Sequence, residues 1–338
     1  MITIDGSEGE GGGQILRNSC ALSLITGQPF TIENIRAKRE KPGLMRQHLT
    51  SIGAACEIGG AECEGLEMGS SKITFRPSSV TPGDYHFAVG TAGSTGLVLQ
   101  TILMPLLYVD KPSRVTIEGG THAVSAPPFE FLQKSFLPII NRMGPKVSAN
   151  IVRHGFYPRG GGKIVIDVDP APLRQIECIE RGKLVDHSGM VKFSGIKFEI
   201  ADRMLKAGRK ALADWPDDAF VLRELPESHG PGIATLFEAE YENVTEVVSG
   251  FGKIGVKAER IGKSTAGRVA GFIGSDAFAG PYLQDQLLLP FALAGGGRFT
   301  SVKISEHTRT AAEIIQLFTD RRVAFTETGT AANLVEIS

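Results

Sequence analysis

The sequence predicts a mixed α/β (α+β) fold: a large domain made of three βαβαββ repeats, with a small α/β domain inserted before the last repeat. Three observations predict it. Residues 14–35, 94–117 and 283–304 share one layout of apolar helix, short turn and alternating strand. A second helical pattern follows each of them, over residues 44–56, 129–143 and 310–318. Residues 183–275 then interrupt the regularity with strands and helices of their own. A period of roughly 80 to 100 residues is too long for a solenoid, so each copy is a unit that buries its helices on a sheet. The expected division is therefore 1–182 and 276–338 for the large domain and 183–275 for the insert.

The first copy opens with Asp5-Gly6-Ser7-Glu8-Gly9-Glu10-Gly11-Gly12-Gly13-Gln14-Ile15-Leu16-Arg17, a glycine-rich loop carrying acids that runs directly into an apolar helix. Glycines let a phosphate reach backbone N–H groups, the free N–H groups of the helix face the same point, and Arg17 lies about one turn in. The same pattern also describes a tight strand-to-helix turn. Thr26-Gly27-Gln28-Pro29 ends the helix and Phe30-Thr31-Ile32 reads as a strand. Between that strand and the helix expected from Leu44, the run from Arg36 to His48 packs five Lys/Arg and a histidine around one acid. Arginine forks bind terminal phosphates, so Arg36, Arg39, Arg46 and His48 read as a phosphate pocket; a solvated charged loop is the alternative.

In the second copy the apolar helix carries one polar residue, Gln100, which is either a ligand for a base or the wet edge of the helix. Asp110-Lys111-Pro112-Ser113 is its turn and residues 114–117 its strand. Ser125-Ala126-Pro127-Pro128 is a rigid loop suited to flank a ring. Arg153-His154-Gly155-Phe156-Tyr157-Pro158-Arg159-Gly160-Gly161-Gly162 suits either a nucleic-acid strand or a plain turn between strands.

The insert is expected to hold strands over 191–200 and 234–241 and helices over 202–213 and 263–273. It contains two motif traps. Gly250-Phe251-Gly252-Lys253-Ile254-Gly255 matches the dinucleotide fingerprint letter by letter, but sits late in the insert with no helix opening at once. Gly262-Lys263-Ser264 resembles the end of a phosphate loop, yet that motif demands glycine where the chain has Lys257.

In the third copy Pro281-Tyr282-Leu283-Gln284-Asp285-Gln286 precedes the apolar helix. Tyr282 offers a face for a base, while Asp285 and the glutamines offer hydrogen bonds; an ordinary helix N-terminus reads the same way. His307 lies between the strand ending at Ile304 and a helix expected near Thr310. There the dipole lowers its pKa and keeps it neutral and nucleophilic, although a lone histidine is more often structural.

Composition bounds the partners. The 338 residues carry 36 Lys+Arg against 37 Asp+Glu, a formal charge of −1, which argues against broad electrostatic binding to duplex nucleic acid and leaves room only for a local basic site. Cys20, Cys56, Cys63 and Cys178 show neither C-x-x-C nor zinc spacing, so they read as reduced thiols. The chain starts Met1-Ile2-Thr3-Ile4-Asp5 with no charged-then-apolar leader, and its longest apolar run is broken by Gln100, Thr101 and Pro105. The expectation is a cytoplasmic protein with no membrane partner; oligomeric state is not encoded in any pattern.

Taken together these segments resemble the RNA 3′-terminal phosphate cyclase family. The motifs that carry the resemblance are the run from Gly9 to Arg17, Ile35-Arg36-Ala37 through Lys41-Pro42-Gly43-Leu44, Gln47-His48-Leu49, Ser125-Ala126-Pro127-Pro128, the run from Arg153 to Gly162, Tyr282-Leu283-Gln284-Asp285-Gln286, and His307. It implies a large domain of three repeats similar to the C-terminal domain of translation initiation factor 3. It also implies ATP as cofactor, a divalent metal (Mg²⁺ or Mn²⁺), RNA 3′-phosphate ends as partner, and closure of a 2′,3′-cyclic phosphate through a histidyl-AMP intermediate. By position, His307 is then the nucleophile and Glu10 a metal-side acid. Arg17, Arg36, Arg39, Arg46 and His48 contact the phosphates and RNA end, and Gln100, Pro127, Tyr282, Leu283, Gln284, Asp285 and Gln286 hold the nucleotide. One departure is Ala311, where relatives reading His-x-x-Thr-Asn have asparagine; it bears on a loop or cap hydrogen bond, not on the nucleophile. The alternatives are the noncatalytic branch of this family, an RNA or ribosome-assembly binding protein without the nucleophile, and enolpyruvyl transfer, suggested by the repeated units alone.

Overall fold

The computed structural model describes every residue except 125, 226–227 and 329–331; Ser125 of the rigid loop thus lies outside the described residues. In chain order the elements are β1 (Ile2–Asp5), α1 (Gly13–Thr26), β2 (Phe30–Glu33), α2 (Arg46–Gly59), β3 (Glu62–Glu64) and β4 (Ile73–Arg76). Next come β5 (Asp84–Ala88), α3 (Thr95–Leu106), β6 (Ser113–Gly119), α4 (Phe129–Phe131), a π-turn (Leu132–Phe136), α5 (Leu137–Arg142), β7 (Lys146–Arg153) and β8 (Gly162–Asp169). The rest are β9 (Glu177–Cys178), β10 (Leu184–Ser194), α6 (Phe198–Ala211), β11 (Phe220–Glu224), β12 (Gly232–Tyr241), β13 (Thr245–Phe251), α7 (Ala258–Ile273), α8 (Leu283–Leu293), β14 (Gly297–Ser301), α9 (Glu306–Phe318), β15 (Val323–Glu327) and β16 (Asn333–Ile337).

Three of the four sheets found among the described residues repeat one topology. Their orders are β1-β2-β4-β3, β5-β6-β8-β7 and β9-β14-β16-β15. In each, the first two strands run parallel across the first helix and the last two form an antiparallel hairpin whose final strand pairs with the second. A parallel pair needs a crossover, which is why every copy starts strand, helix, strand. Alternation fixes the faces: along β8, Ile164, Ile166 and Val168 are buried and Asp169 is exposed. One apolar core runs through all three copies, with Phe30, Phe75, Phe278, Phe291 and Phe299 among its largest buried side chains.

The third copy begins earlier than the sequence suggests. Its first strand, β9, is two residues long and stands ahead of residues 184–273, so those residues lie between the first strand and first helix of the last repeat. They form the fourth sheet, β11-β10-β12-β13, covered by α6 and α7. β13 pairs antiparallel with β12, so Gly250 opens no βαβ unit and the fingerprint reading falls. The strand expected over 191–200 ends at Ser194 because Gly195 turns the chain at φ 60°, and α6 begins at Phe198. Helix α7 starts at Ala258, five residues before its expected start at Lys263. The helix expected over 129–143 is one helical run widened by the π-turn.

Helices α6 and α7 pack closely because Gly262 faces the backbone of Met204: a Cβ there would collide with that carbonyl oxygen. Gly262→Ala is therefore expected to lower stability by about 1–3 kcal/mol, as overpacking does, read as a lower denaturant midpoint with an unchanged slope. The same sheet is tied to the second repeat by a buried ionic cluster. Lys192 of β10 donates to Glu130, which also accepts from His122 Nε2 at 2.9 Å. Burial alone would raise the Glu130 carboxyl, but the His122 ring and the Lys192 ammonium beside it hold it well below the usual range. No helix among the described residues is long and apolar enough to cross a membrane.

Candidate active site

The site forms where the starts of α1, α2, α8 and α9 meet. Helix α9 begins at Glu306, earlier than the sequence suggests, because the Ser305 hydroxyl caps it by accepting from the Thr308 N–H at 3.1 Å. His307 is thereby in the first turn. With Ser305 capping, the missing asparagine at Ala311, a buried position, removes no cap bond.

His307 Nδ1 lies 3.1 Å from Gln14 Oε1. Gln14 Nε2 donates to Asp285 Oδ2 at 2.8 Å, which fixes which end of the amide faces the histidine. An amide oxygen accepts only, so Nδ1 carries the proton and Nε2 keeps its lone pair. That Nε2 faces Glu10 Oε1 at 3.9 Å, and the His307 side chain is 54% exposed, so the lone pair is open to solvent. Asp285 Oδ2 also accepts from Gln286 Nε2 at 2.9 Å; Gln286 Oε1 accepts from Gln100 Nε2, and Gln100 Oε1 accepts from Arg17 Nε at 3.2 Å. A continuous chain of polar side chains thus links Arg17 to His307 across three repeats. Burial pushes the Asp285 carboxyl up to about 7, partly offset by the Gln286 amide and the Arg17 charge. Burial likewise brings Arg17 down to about 10, opposed by Asp285.

Glycine shapes the approach of the loop. Gly9 sits at φ 54° and a Cβ there would collide with the Thr310 hydroxyl, which accepts from the Glu10 N–H at 2.9 Å. Glu10 is thus pinned to the start of α9, with its carboxylate paired to Arg39. His48 Nδ1 accepts from the Met45 N–H at 3.0 Å, so its neutral ring carries hydrogen on Nε2. That atom and Arg17 Nη1 converge on Gly13, where a Cβ would lie 2.7 and 2.9 Å from them. Burial, with the charges of Arg17 and Arg36, drives the His48 pKa down to about 3. Burial and the charges of Arg17 and Arg39 lower that of His307 too. The result is a ring of donors around the N-terminus of α1, suited to an anion, facing one unprotonated imidazole nitrogen.

The remaining expected residues divide. Pro127 lines a narrow pocket with Thr95, Thr121, Gln100 and Gln286. Tyr282 stands at its side of α8, its ring edge-on to Phe131 with centroids 6.4 Å apart. Leu283 and Gln284 have other contacts on α8. Leu283 is fully buried in the core, and Gln284 braces α8 by donating to Lys303 O and accepting from Ser305 N–H, each at 3.3 Å. Arg36 spends Nη1 on the carbonyls of Lys41 and Gly43, both at 2.7 Å, and Arg46 is exposed in the first turn of α2. Gln14 went unassigned in the sequence, where it is only the residue after a glycine run.

A divalent ion finds one carboxylate here. Among the described residues no three His, Cys, Asp or Glu side chains come together to hold a metal. One carboxylate with phosphate oxygens and water is a set Mg²⁺ accepts, so Glu10 fits a metal that arrives with a polyphosphate.

The chain is similar to proteins of one named family. A model of the family described as RNA 3′-terminal phosphate cyclase matches residues 8–325. The chain is 51% identical over 319 residues to a protein named RNA 3′-terminal phosphate cyclase from Koribacter versatilis (strain Ellin345), covering 94% of this chain and 90% of that one. It is 42% identical over 337 residues to a protein of the same name from Ectopseudomonas mendocina (strain ymp), covering 100% and 98%. Against that from Ralstonia nicotianae (strain ATCC BAA-1114 / GMI1000) it is 46% identical over 319 residues, covering 94% and 91%.

Proposed function

The chain belongs to the RNA 3′-terminal phosphate cyclase family, and from that premise we propose that it converts an RNA 3′-terminal phosphate to a 2′,3′-cyclic phosphate at the expense of ATP, with His307 carrying AMP in between. The observation that carries the reading is the Asp285–Gln14–His307 chain, which leaves Nε2 unprotonated beside a donor-rich anion pocket. A phosphate dianion has no good leaving group, and covalent catalysis divides the problem into easier steps.

His307 Nε2 gives its lone pair to the α-phosphorus of ATP; the bond from that phosphorus to the bridging oxygen breaks and pyrophosphate leaves with the pair. Gln14 holds the Nδ1 proton, whose hydrogen bond strengthens as the ring gains positive charge. An oxygen of the RNA 3′-phosphate then displaces Nε2 from the AMP phosphorus. Last, the 2′-hydroxyl oxygen attacks the 3′-phosphorus, loses its proton and expels AMP. Arg17, the Nε2–H of His48 and the first N–H groups of α1 hold phosphate oxygens, with Arg36, Arg39 and Arg46 bordering the RNA end. Gln100, Pro127, Tyr282, Asp285 and Gln286 form the nucleotide subsite, with Tyr282 as the base platform. Glu10 would hold Mg²⁺ or Mn²⁺ together with the triphosphate, and the ion would neutralise the departing pyrophosphate. Residues 183–275 are taken as an inserted domain.

The test is an RNA oligonucleotide ending in a 3′-phosphate, mixed with the protein and ATP. The expected product resists phosphatase and appears with equal amounts of AMP and pyrophosphate; an end that stays phosphatase-sensitive overturns the reading and favours the binding branch. The pH dependence of the first step has a defined sign. Neutral imidazole is the nucleophile and its pKa is lowered from 6.5, so single-turnover adenylylation is expected to rise with pH through a midpoint below that value and stay level above it. The Asp285 carboxyl is itself pushed up to about 7 by burial, so the limb is assigned in Asp285→Asn, which does not titrate there; a limb that persists in it below 6.5 belongs to His307. A midpoint above that of an ordinary histidine contradicts the assignment.

A further inference from the structure

The segment between β9 and α8 has no role in the chemistry above, yet two of its side chains lie against the residues that lead into α8. Glu246 on β13 is fully buried, and the Gly280 main chain lies so close that a Cβ at 280 would collide with its carboxyl. Arg268 on α7 spans the same gap. Its Nη2 donates to Ser249 O on β13, and its Nη1 donates to Tyr282 Oη at 3.2 Å. No other hydrogen-bond partner of that hydroxyl occurs among the described residues. The ring itself meets Phe131 only by its edge, at an interplanar angle of 82°. The ring, half-buried against the core at a helix start, is therefore oriented by two further contacts, one from the second repeat and one from the inserted segment.

We propose that Arg268 is a positioning residue for the nucleotide subsite: it holds Tyr282 in the attitude that receives the base, so the inserted segment contributes to nucleotide binding without touching the nucleotide. The inference rests on the reading of Tyr282 as the base platform. The physical case is one of preorganisation. A tyrosine already held in its binding rotamer loses no further freedom when a base stacks on it, whereas an untethered one does. A planar guanidinium is needed, since one donor is committed to Ser249 while another on the same fork reaches the hydroxyl. Arg268 acts before His307 chemistry begins, so its effect falls on affinity and not on the rate of the saturated enzyme.

The experiment measures adenylylation of the full-length protein against ATP concentration for Arg268→Ala, Tyr282→Phe, the double variant and Tyr282→Ala. Arg268→Ala is expected to raise the KM for ATP about fivefold with the saturated rate unchanged, as loss of one ordinary hydrogen bond does. Tyr282→Phe is expected to raise KM by the same factor, and the double variant by no more than either, because both remove the same bond. Tyr282→Ala is expected to raise KM further, since it removes the stacking face. Independent, multiplying effects of the two single changes overturn the inference, as does a lowered saturated rate with unchanged KM. If Tyr282→Ala raises KM and Arg268→Ala does not, Arg268 has no positioning role but the nucleotide reading stands. If Tyr282→Ala leaves KM unchanged, the base platform is elsewhere and both fall.

Discussion

His307→Ala is expected to abolish cyclisation, by at least about 10³-fold, while leaving the protein folded. Removing the nucleophile leaves no second group to replace it: His48, the other histidine at the site, has Nδ1 occupied by the Met45 N–H and offers only a donor at Nε2. The side chain of His307 is 54% exposed and its one hydrogen bond among the described residues is to Gln14, whose amide stays anchored on Asp285. Stability is therefore expected to change by no more than about 0.5 kcal/mol, as for other exposed positions. Steady-state assays with a 3′-phosphate oligonucleotide, alongside a thermal melt, check both halves. A folded variant with undiminished activity removes His307 from the chemistry.

Asp285→Ala is expected to have the next largest effect, and unlike the first it should reach both rate and stability. The carboxyl accepts from Gln14 and Gln286 through one buried oxygen, and its charge offsets that of Arg17. Deleting it strands the buried Gln14 amide at about 1–3 kcal/mol and the half-buried Gln286 amide at less, of which relaxation recovers a part. With its anchor gone the Gln14 amide is free to turn, and His307 loses the contact that keeps the proton on Nδ1. Loss of tautomer control in other enzymes costs up to about 10⁴-fold, and a drop of about 10²-fold or more in the adenylylation rate is expected here. Asp285→Asn keeps one acceptor oxygen and is expected to fall between wild type and alanine. A wild-type rate for the alanine variant contradicts the relay.

The threefold repeat was legible because each copy writes the same helix, turn and strand in apolar spacing punctuated by Gly or Pro. The opening strand of the third copy was not. Glu177–Cys178 is too short to show alternation and is parted from its helix by the fourth sheet. At the site, the glycine loop, the basic run and His307 could be named from residue type alone. Gln14 could not, since its meaning comes from Asp285, 271 positions away in sequence. Leu283 and Gln284 show the opposite limit: a contiguous motif names residues that a helix then distributes over different faces. The Arg36 guanidinium is turned back on its own loop, whose chain reverses at φ 54°, a local conformation that charge patterning does not report.

The most direct test of the central claim is to incubate the protein with Mg²⁺ and ATP labelled at the α-phosphorus, denature it, and follow the label. The account predicts label retained on the polypeptide, labile to acid and stable to alkali as a phosphoramidate is, and absent from His307→Ala. No retained label with either Mg²⁺ or Mn²⁺, or equal label on the alanine variant, would contradict it.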